Sequence, residues 1–166
     1  MLCRTHSGPP THTSFDLFKS IHSSVKHLIP ENLELFGEFL YAKHSIYYDK
    51  LPAYLMLFNV RDLTSDLWLS WEEVELWAEE IQVPTVPVLH RGVFNSVNDL
   101  KLKINEFMSM PSCFGKEREG VVVRVKDSFS DSDFSKCLGK FVRKNHVNTS
   151  IHWTNQEIIR NGVQSC

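Results

Sequence analysis

Three short apolar segments place the tightest limit on how this chain can fold. Residues 33–41, 53–61 and 120–125 are each bounded by charged or turn-forming residues, a pattern typical of buried strands. The third is the clearest strand, because three consecutive valines lie between Glu119 and Arg124. Helical patterns separate these segments without a regular strand–helix alternation. The sequence therefore predicts an α+β domain with a mainly antiparallel sheet.

Three helix beginnings can be recognised from capping residues. Ser14 is predicted to cap a helix that ends before Pro30, and Ser70 with Glu73 forms a capping box at the start of a second helix. Ser96 is predicted to begin a third helix. The sequence thus predicts helices beside the strands rather than a sheet alone.

Three further segments complete the prediction. Residues 83–92 (VPTVPVLHRG) are predicted to form an edge strand, because proline cannot donate a ladder hydrogen bond. Residues 127–136 have turn composition, and residues 138–147 (LGKFVRKNHV) are predicted to form a last short strand.

Composition excludes several functional classes. With 166 residues and a net charge of -2, the chain lacks the basic surface of a protein coated by nucleic acid, so nucleic-acid contact must come from a local patch. Its four cysteines are scattered without zinc-site spacing, which is typical of free thiols in a reducing compartment. The chain has neither a long apolar run nor a signal-peptide pattern at its beginning. We therefore expect a cytoplasmic or nuclear protein with no membrane partner.

Charged residues at the edges of separate strands indicate a phosphate-bearing ligand. Glu38 and Glu119 each adjoin a glycine in or beside a strand, and Lys140 begins a cationic run. Cations bind phosphate oxygens, while carboxylates bind a ribose hydroxyl or hydrated magnesium. Phe58 could stack on a base or pack in the core. Each charged residue could equally be an ordinary residue at a strand edge.

The longer strings around these residues resemble a known family. Residues 35–51 (LFGEFLYAKHSIYYDKL) are similar to motif III of the ATP-dependent RNA ligase domain family, a branch of the covalent nucleotidyltransferases. EGVVVR (119–124) is similar to motif IV, and KFVRKNHV (140–147) to motif V. The strings at 5–16, 37–54, 68–92 and 151–153 resemble this branch in the same order. They favour the RNA ligases over DNA ligases and capping enzymes.

The resemblance implies a fold and a reaction. The fold is a partial adenylyltransferase (ATP-grasp-like nucleotidyltransferase) domain, with antiparallel sheets and flanking helices around an ATP cleft. The reaction uses ATP and Mg²⁺ to join an RNA 5′-phosphate end to a 3′-hydroxyl end. A lysine takes AMP from ATP, AMP passes to the 5′-phosphate, and the 3′-hydroxyl then displaces AMP.

The resemblance also implies roles for individual residues. Glu38 is expected to bind the ribose, with Gly37 letting the backbone approach the nucleotide, and Phe58 to stack on adenine. Glu119 is expected to help hold magnesium, and Lys140 to reach the α-phosphate.

Further cations are implied for the phosphates. Arg143 and Lys144 compete for the second cationic position of motif V. Arg4 is expected to contact the nucleotide phosphates or the RNA end that is joined.

One element of the family pattern does not occur in these 166 residues. Family members carry the nucleophilic lysine in a K-x-D-G motif, which is found nowhere in this sequence. We therefore expect an N-terminally truncated ligase domain over residues 1–153 and a tail over 154–166, with no catalytic lysine and no self-adenylylation alone. The alternative is a non-catalytic nucleotide- or RNA-binding module derived from a ligase.

Overall fold

The computed structural model describes residues 12–143 and 158–164. These residues form an α+β structure of antiparallel sheets with flanking helices, as the sequence predicts. The helices are α1 (Asp16–Val25), α2 (Trp71–Glu80), α3 (Val97–Ser109) and α4 (Phe134–Cys137), and the strands are β1 (Leu33–Phe39), β2 (Leu55–Asp62), β3 (Leu67–Trp68), β4 (Gly120–Arg124), β5 (Phe129–Ser130) and β6 (Leu138–Val142).

The strands form two sheets. A four-stranded sheet has the order β1-β2-β3-β5, and a two-stranded sheet pairs β4 with β6. The pairing of β1 with β2 shifts register between Phe36 and Gly37, so that Phe58 is the extra residue of a bulge in β2. A bulge bends a strand and changes the direction of its side chains, and this one lies one residue before Glu38.

The main core lies between β2 and α2. Val60 and Val74 are fully buried at its centre, with Leu57, Ala78 and Ile81 beside them. The capping box of α2 is present: the Ser70 hydroxyl accepts from the Glu73 amide, and the Glu73 carboxylate accepts from the Ser70 amide at 2.8 Å. Local capping and the apolar face of α2 therefore agree on where this helix begins.

Helix α1 packs through aromatic side chains. Phe15 and Phe18 lie on Phe39 at the end of β1, with ring centroids 5.9 and 5.4 Å away. The prediction that Ser14 caps this helix is wrong: Ser14 lies inside a 3-10 turn (Thr13–Phe15), where His12 accepts from its amide. Ser14 is buried, and its hydroxyl is hydrogen-bonded to His12.

Two other predictions need correction. Residues 83–92 form an extended segment with one isolated bridge to β2 (Leu57 to Thr85) instead of an edge strand. The turn-like segment 127–136 contains β5, a 3-10 turn and the start of α4, because Phe129 and Phe134 pack near Trp68 and order it. The helix predicted from Ser96 and the strand predicted over 120–125 are confirmed, within one residue at the end of the strand.

Arg124, at the end of β4, joins the two sheets. Its guanidinium donates to the Oδ1 of Asn59 in β2 and to the carbonyl of Leu69, both at 2.7 Å. It also lies over the rings of Trp71 and Phe129, at 5.7 and 5.4 Å from their centroids. Burial lowers the pKa of Arg124, but a guanidinium stays charged at physiological pH. This side chain therefore sets the position of β4 relative to β2.

Within the described ranges, the structure contains no helix with the length and apolar content needed to cross a membrane.

Replacing Ser70 with alanine should lower the free energy of unfolding by about 1 kcal/mol, because the cap of α2 is lost. The Ser70 hydroxyl donates a hydrogen bond to the Glu73 carboxylate and thereby lowers the pKa of Glu73. The stability that this bond contributes is complete above the carboxyl pKa of the unfolded chain. It is lost as the pH falls through the lower pKa of the folded state. Urea unfolding at neutral pH and at about pH 3 should therefore show a smaller difference in acid. The control is Ser23→Ala on the exposed face of α1, which should not destabilise the protein.

Replacing Arg124 with lysine should lower the free energy of unfolding by about 2–4 kcal/mol, because one ammonium cannot reproduce the forked contact with Asn59 and Leu69. The matched control is Arg91→Lys, since Arg91 forms an exposed ion pair with Glu75. That change should alter the free energy by less than about 0.5 kcal/mol. Equal effects of the two substitutions in urea unfolding would contradict the role given to Arg124.

Candidate functional site

Glu38 lies near the end of β1, on the face of the sheet opposite α2. Leu33 and Leu35 pack against the α2 core, so the alternating residues Phe36 and Glu38 project to the other face. Phe36 contacts Trp68 on that face, with ring centroids 4.9 Å apart. Glu38 is exposed there and pairs with Met56 of β2.

The pairing of β1 with β2 requires a glycine at position 37. A Cβ atom at this position would lie 2.9 Å from the carbonyl oxygen of Met56 and 3.1 Å from a methyl group of Leu55. Any side chain would therefore push β1 away from β2 at the bulge. The glycine permits the close strand pairing that determines where Glu38 lies.

Phe58 is half-buried at the bulge of β2. The adjacent Asn59 is almost fully buried and binds Arg124, so this part of β2 faces the β4–β6 sheet. The aromatic pairs among the described residues do not include Phe58.

Glu119 lies directly before β4, at the end of the two-stranded sheet. Its carbonyl accepts from the amide of Arg143, which follows β6, so the backbone brings these two predicted site residues together. The Arg143 guanidinium also forms an exposed ion pair with Glu117 at 2.6 Å. Gly120 allows the strands to meet here, because a Cβ atom would lie 3.1 Å from the Cα of Val142.

Lys140 lies further along β6, opposite Val122 of β4. Because side chains alternate along a strand, Lys140 lies on the same face of the sheet as Val122 and Arg124. Its side chain is exposed, and no salt bridge joins it to a carboxylate of residues 12–143 or 158–164. The predicted residues Arg4 and Lys144 lie outside the described residues.

Tyr48 lies in the loop after β1, which follows the strand of Glu38 and is bonded to the segment that leads into Glu119. Burial raises the pKa of the Tyr48 phenol, and the charges of Glu119 and then Glu38 raise it further, while Arg118 lowers it. The phenol stays protonated at neutral pH and keeps its O–H donor.

Two loops bring Tyr48 to this position. The amides of Asp49 and Lys50 donate to the carbonyl of Phe114, at 3.0 and 3.2 Å. The Phe114 ring meets the Tyr48 ring edge to face, with centroids 6.2 Å apart. The loop after β1 is thus attached to the segment that leads into Glu119.

The sequence analysis missed three residues of this region. In the sequence, Tyr48 is one residue of the string that resembles motif III, and Arg124 is the last residue of the string that resembles motif IV. Asn161, which is 3 % exposed and binds the loop after β1, carries no sequence signal, because a lone asparagine near a chain end is common.

The side chains around Glu38 and Glu119 determine whether this region could hold a metal ion. Among residues 12–143 and 158–164, no group of three or more His, Cys, Asp and Glu side chains could hold one. Magnesium that arrives with a nucleotide needs only one or two protein carboxylates, since phosphates and water supply the other ligands. Glu119, the carboxylate predicted to help hold magnesium, is partly exposed beside the backbone of Arg143 and fits this smaller requirement.

Comparison with known proteins identifies the family. No curated protein and no solved structure matches the chain. The family model described as RNA ligase matches residues 3–142, which include β1, β2, β4 and β6 together with Glu38, Glu119 and Lys140. Because the match spans most of the sequence, the chain belongs to the RNA ligase family.

Proposed function

We propose that this chain forms the nucleotide-binding part of an ATP-dependent RNA ligase. The observation that carries the proposal is that Arg124 joins the β4–β6 sheet to β2, while the loop after β1 is hydrogen-bonded to Phe114, so that the strand of Glu38 and the segment leading into Glu119 meet in one region. Nucleotide sites need such convergence, because the sugar and the phosphates are bound by different groups. Membership of the RNA ligase family supports ATP as the nucleotide and RNA ends as the substrate.

The proposed binding mode uses the face of the main sheet that carries Glu38. Phe58, at the bulge of β2, stacks on adenine, and the Glu38 carboxylate accepts from the ribose hydroxyls. Lys140 lies on the β4–β6 sheet with an exposed ammonium that can reach the α-phosphate. Arg143, Lys144 and Arg4 are proposed as further phosphate contacts.

Magnesium, held with the help of Glu119, would neutralise negative charge on the phosphates. Glu119 is suited to this role because it lies at the end of the two-stranded sheet, beside the backbone of Arg143.

The proposed overall reaction joins RNA ends in three balanced steps. A lysine nitrogen attacks the α-phosphorus of ATP, and pyrophosphate leaves. The 5′-phosphate of RNA then takes AMP from the lysine, and finally the 3′-hydroxyl attacks that phosphate and releases AMP. These 166 residues contain no K-x-D-G motif, so we propose that the chain alone does not carry out the first step.

A second candidate function rests on the absence of a K-x-D-G motif from these 166 residues. Without a nucleophilic lysine, the retained carboxylates and Lys140 could serve a module that binds a nucleotide or RNA and performs no chemistry. The two candidates differ in whether AMP ever becomes covalently attached.

Replacing Glu38 or Lys140 with alanine should weaken AMP binding by about tenfold to a hundredfold, because each change removes a hydrogen bond to a charged group. Isothermal titration calorimetry measures the affinity, with Glu80→Ala and Lys101→Ala as controls on exposed helix faces. The controls should bind as the unmodified chain does. Unchanged affinity in both site variants would contradict the proposed binding mode.

Incubation with magnesium and ATP labelled at the α-phosphate should leave no label on the denatured chain. A fusion of the chain with a segment that carries the family's K-x-D-G motif should become labelled. Label on the fusion supports the ligase function, whereas an unlabelled fusion that still binds AMP supports the binding module. Label on the chain by itself would contradict the proposal, because another lysine would then be the nucleophile.

A further inference from the structure

We propose that a cleft beside the end of β1 binds one unpaired base of the RNA strand, while the guanidinium of Arg160 binds the adjoining phosphate. The proposal rests on the proposed ligase function, because that function makes RNA the substrate. The cleft is separate from the nucleotide site proposed around Glu38 and Phe58. Arg160 also lies beyond the part of the chain that matches the family model.

The cleft lies between the start of helix α1 and the segment that follows β1. It contains about 240 Å³ of unfilled space that is open to solvent, and it is lined by three aromatic rings, two polar side chains and an alanine: Ser14, Phe15, Phe39, Tyr41, Ala42 and His44. Pockets that enclose a whole small molecule are larger, at about 300–1,000 Å³. The cleft therefore suits a single ring better than a complete nucleotide.

The aromatic residues give the cleft flat apolar walls. The rings of Phe39 and Tyr41 are nearly parallel, at 3° to each other with centroids 6.0 Å apart. The Phe15 ring lies 5.9 Å from Phe39 at an angle of 29°. All three residues are half-buried, so part of each stays at the surface. Unpaired RNA bases stack on such rings with little dependence on sequence, so we expect the cleft to accept any of the four bases.

Arg160 supplies a positive charge at the same cleft. Its guanidinium carbon lies 5.1 Å from the centroid of the Tyr41 ring. Within residues 12–143 and 158–164, no carboxylate forms a salt bridge with Arg160 and none lines the cleft. A guanidinium that lies over a ring still presents N–H donors, which bind phosphate oxygens well. The charge at the cleft therefore complements an RNA strand, in which a phosphate adjoins every base.

The backbone holds Arg160 beside the cleft. Arg160 forms an antiparallel bridge with Ala42, which is one of the lining residues. The amide of the next residue, Asn161, donates to the carbonyl of Tyr41 at 3.0 Å. Because these contacts involve main-chain atoms, replacing the Arg160 side chain should leave the cleft itself in place.

The cleft is close to the proposed nucleotide site but lies on the other face of the sheet. Phe39 directly follows Glu38, so their side chains project to opposite faces of β1. Phe39 packs on Phe18 of α1, whereas Glu38 is exposed on the face opposite α2. Since β1 is the edge strand of its sheet, an RNA strand can pass around this edge from the cleft toward Glu38.

The test measures RNA binding to the full chain by fluorescence anisotropy. One probe is a fluorescein-labelled single-stranded oligouridylate of about ten nucleotides. The other has the same length and abasic riboses, so that only its backbone can bind. The variants are Tyr41→Leu, Tyr41→Phe and Arg160→Gln, each measured below its melting temperature.

The matched controls come from a second pair of a cation and a ring. Lys103 lies 5.0 Å from the centroid of the Phe107 ring on α3, and neither residue lines the cleft. Phe107→Leu and Lys103→Gln should therefore bind both probes as the unmodified chain does.

Tyr41→Leu should weaken oligouridylate binding by about fivefold to twentyfold, because stacking is lost, and should leave binding of the abasic probe unchanged. Tyr41→Phe keeps the ring and should bind as the unmodified chain does. Arg160→Gln should weaken binding of both probes by about threefold to tenfold. It should also reduce the dependence of log K on log salt concentration by about 0.7, as expected for one lost phosphate contact.

Three results would overturn the proposal. The first is a chain that binds neither probe, and the second is an abasic probe that binds the unmodified chain as tightly as oligouridylate. The third is oligouridylate that binds Tyr41→Leu with unchanged affinity. The comparison of the two probes needs no variant, so it decides the question even if Tyr41→Leu does not fold.

AMP calorimetry separates this proposal from the proposed function. Tyr41→Leu should bind AMP with unchanged affinity, because the cleft lies outside the nucleotide site. If the unmodified chain binds no AMP, the proposed function fails, and the two RNA probes still decide whether the cleft holds a base.

Discussion

The guanidinium of Arg124 is the contact on which the relation between the two sheets depends. A two-stranded sheet such as β4–β6 has little core of its own and needs an external partner. Arg124 supplies one by binding the side chain of Asn59 and the carbonyl of Leu69, between the rings of Trp71 and Phe129. Asn59 is 1 % exposed, so its amide oxygen would otherwise be buried without this donor.

The position of Glu119 relative to Glu38 follows from this contact and from the hydrogen bonds that hold the loop after β1. Arg124 holds the far end of β4, while the loop containing Tyr48 holds the segment that leads into Glu119. Asn161 fixes that loop from the other side. Two carboxylates that are 81 positions apart in sequence therefore belong to segments that are held together by three separate attachments.

The sequence predicted most of the regular structure because the signals were local. The capping box at Ser70, the N-cap at Ser96 and the valine run after Gly120 each determine their element through nearby atoms. Prediction failed where distant residues decide the outcome. Ser14 is a residue type that often caps helices, but it lies inside a 3-10 turn, and the adjacent Phe15 packs on the distant Phe39. Likewise, Phe129 and Phe134 order a segment that reads as a turn, because they pack near Trp68.

The sequence by itself determined the α+β class, the family, the strands that carry Glu38 and Lys140, and the strand that follows Glu119, because periodicity and motif strings are properties of neighbouring residues. The structure alone decided that Gly37 serves the pairing of β1 with β2 and that Arg124 joins the sheets. It alone also showed that the side chain of Asn161 binds the backbone of the loop after β1, at Tyr48. Such contacts between distant segments leave no local pattern, since they depend on where buried donors and acceptors meet after the chain has folded.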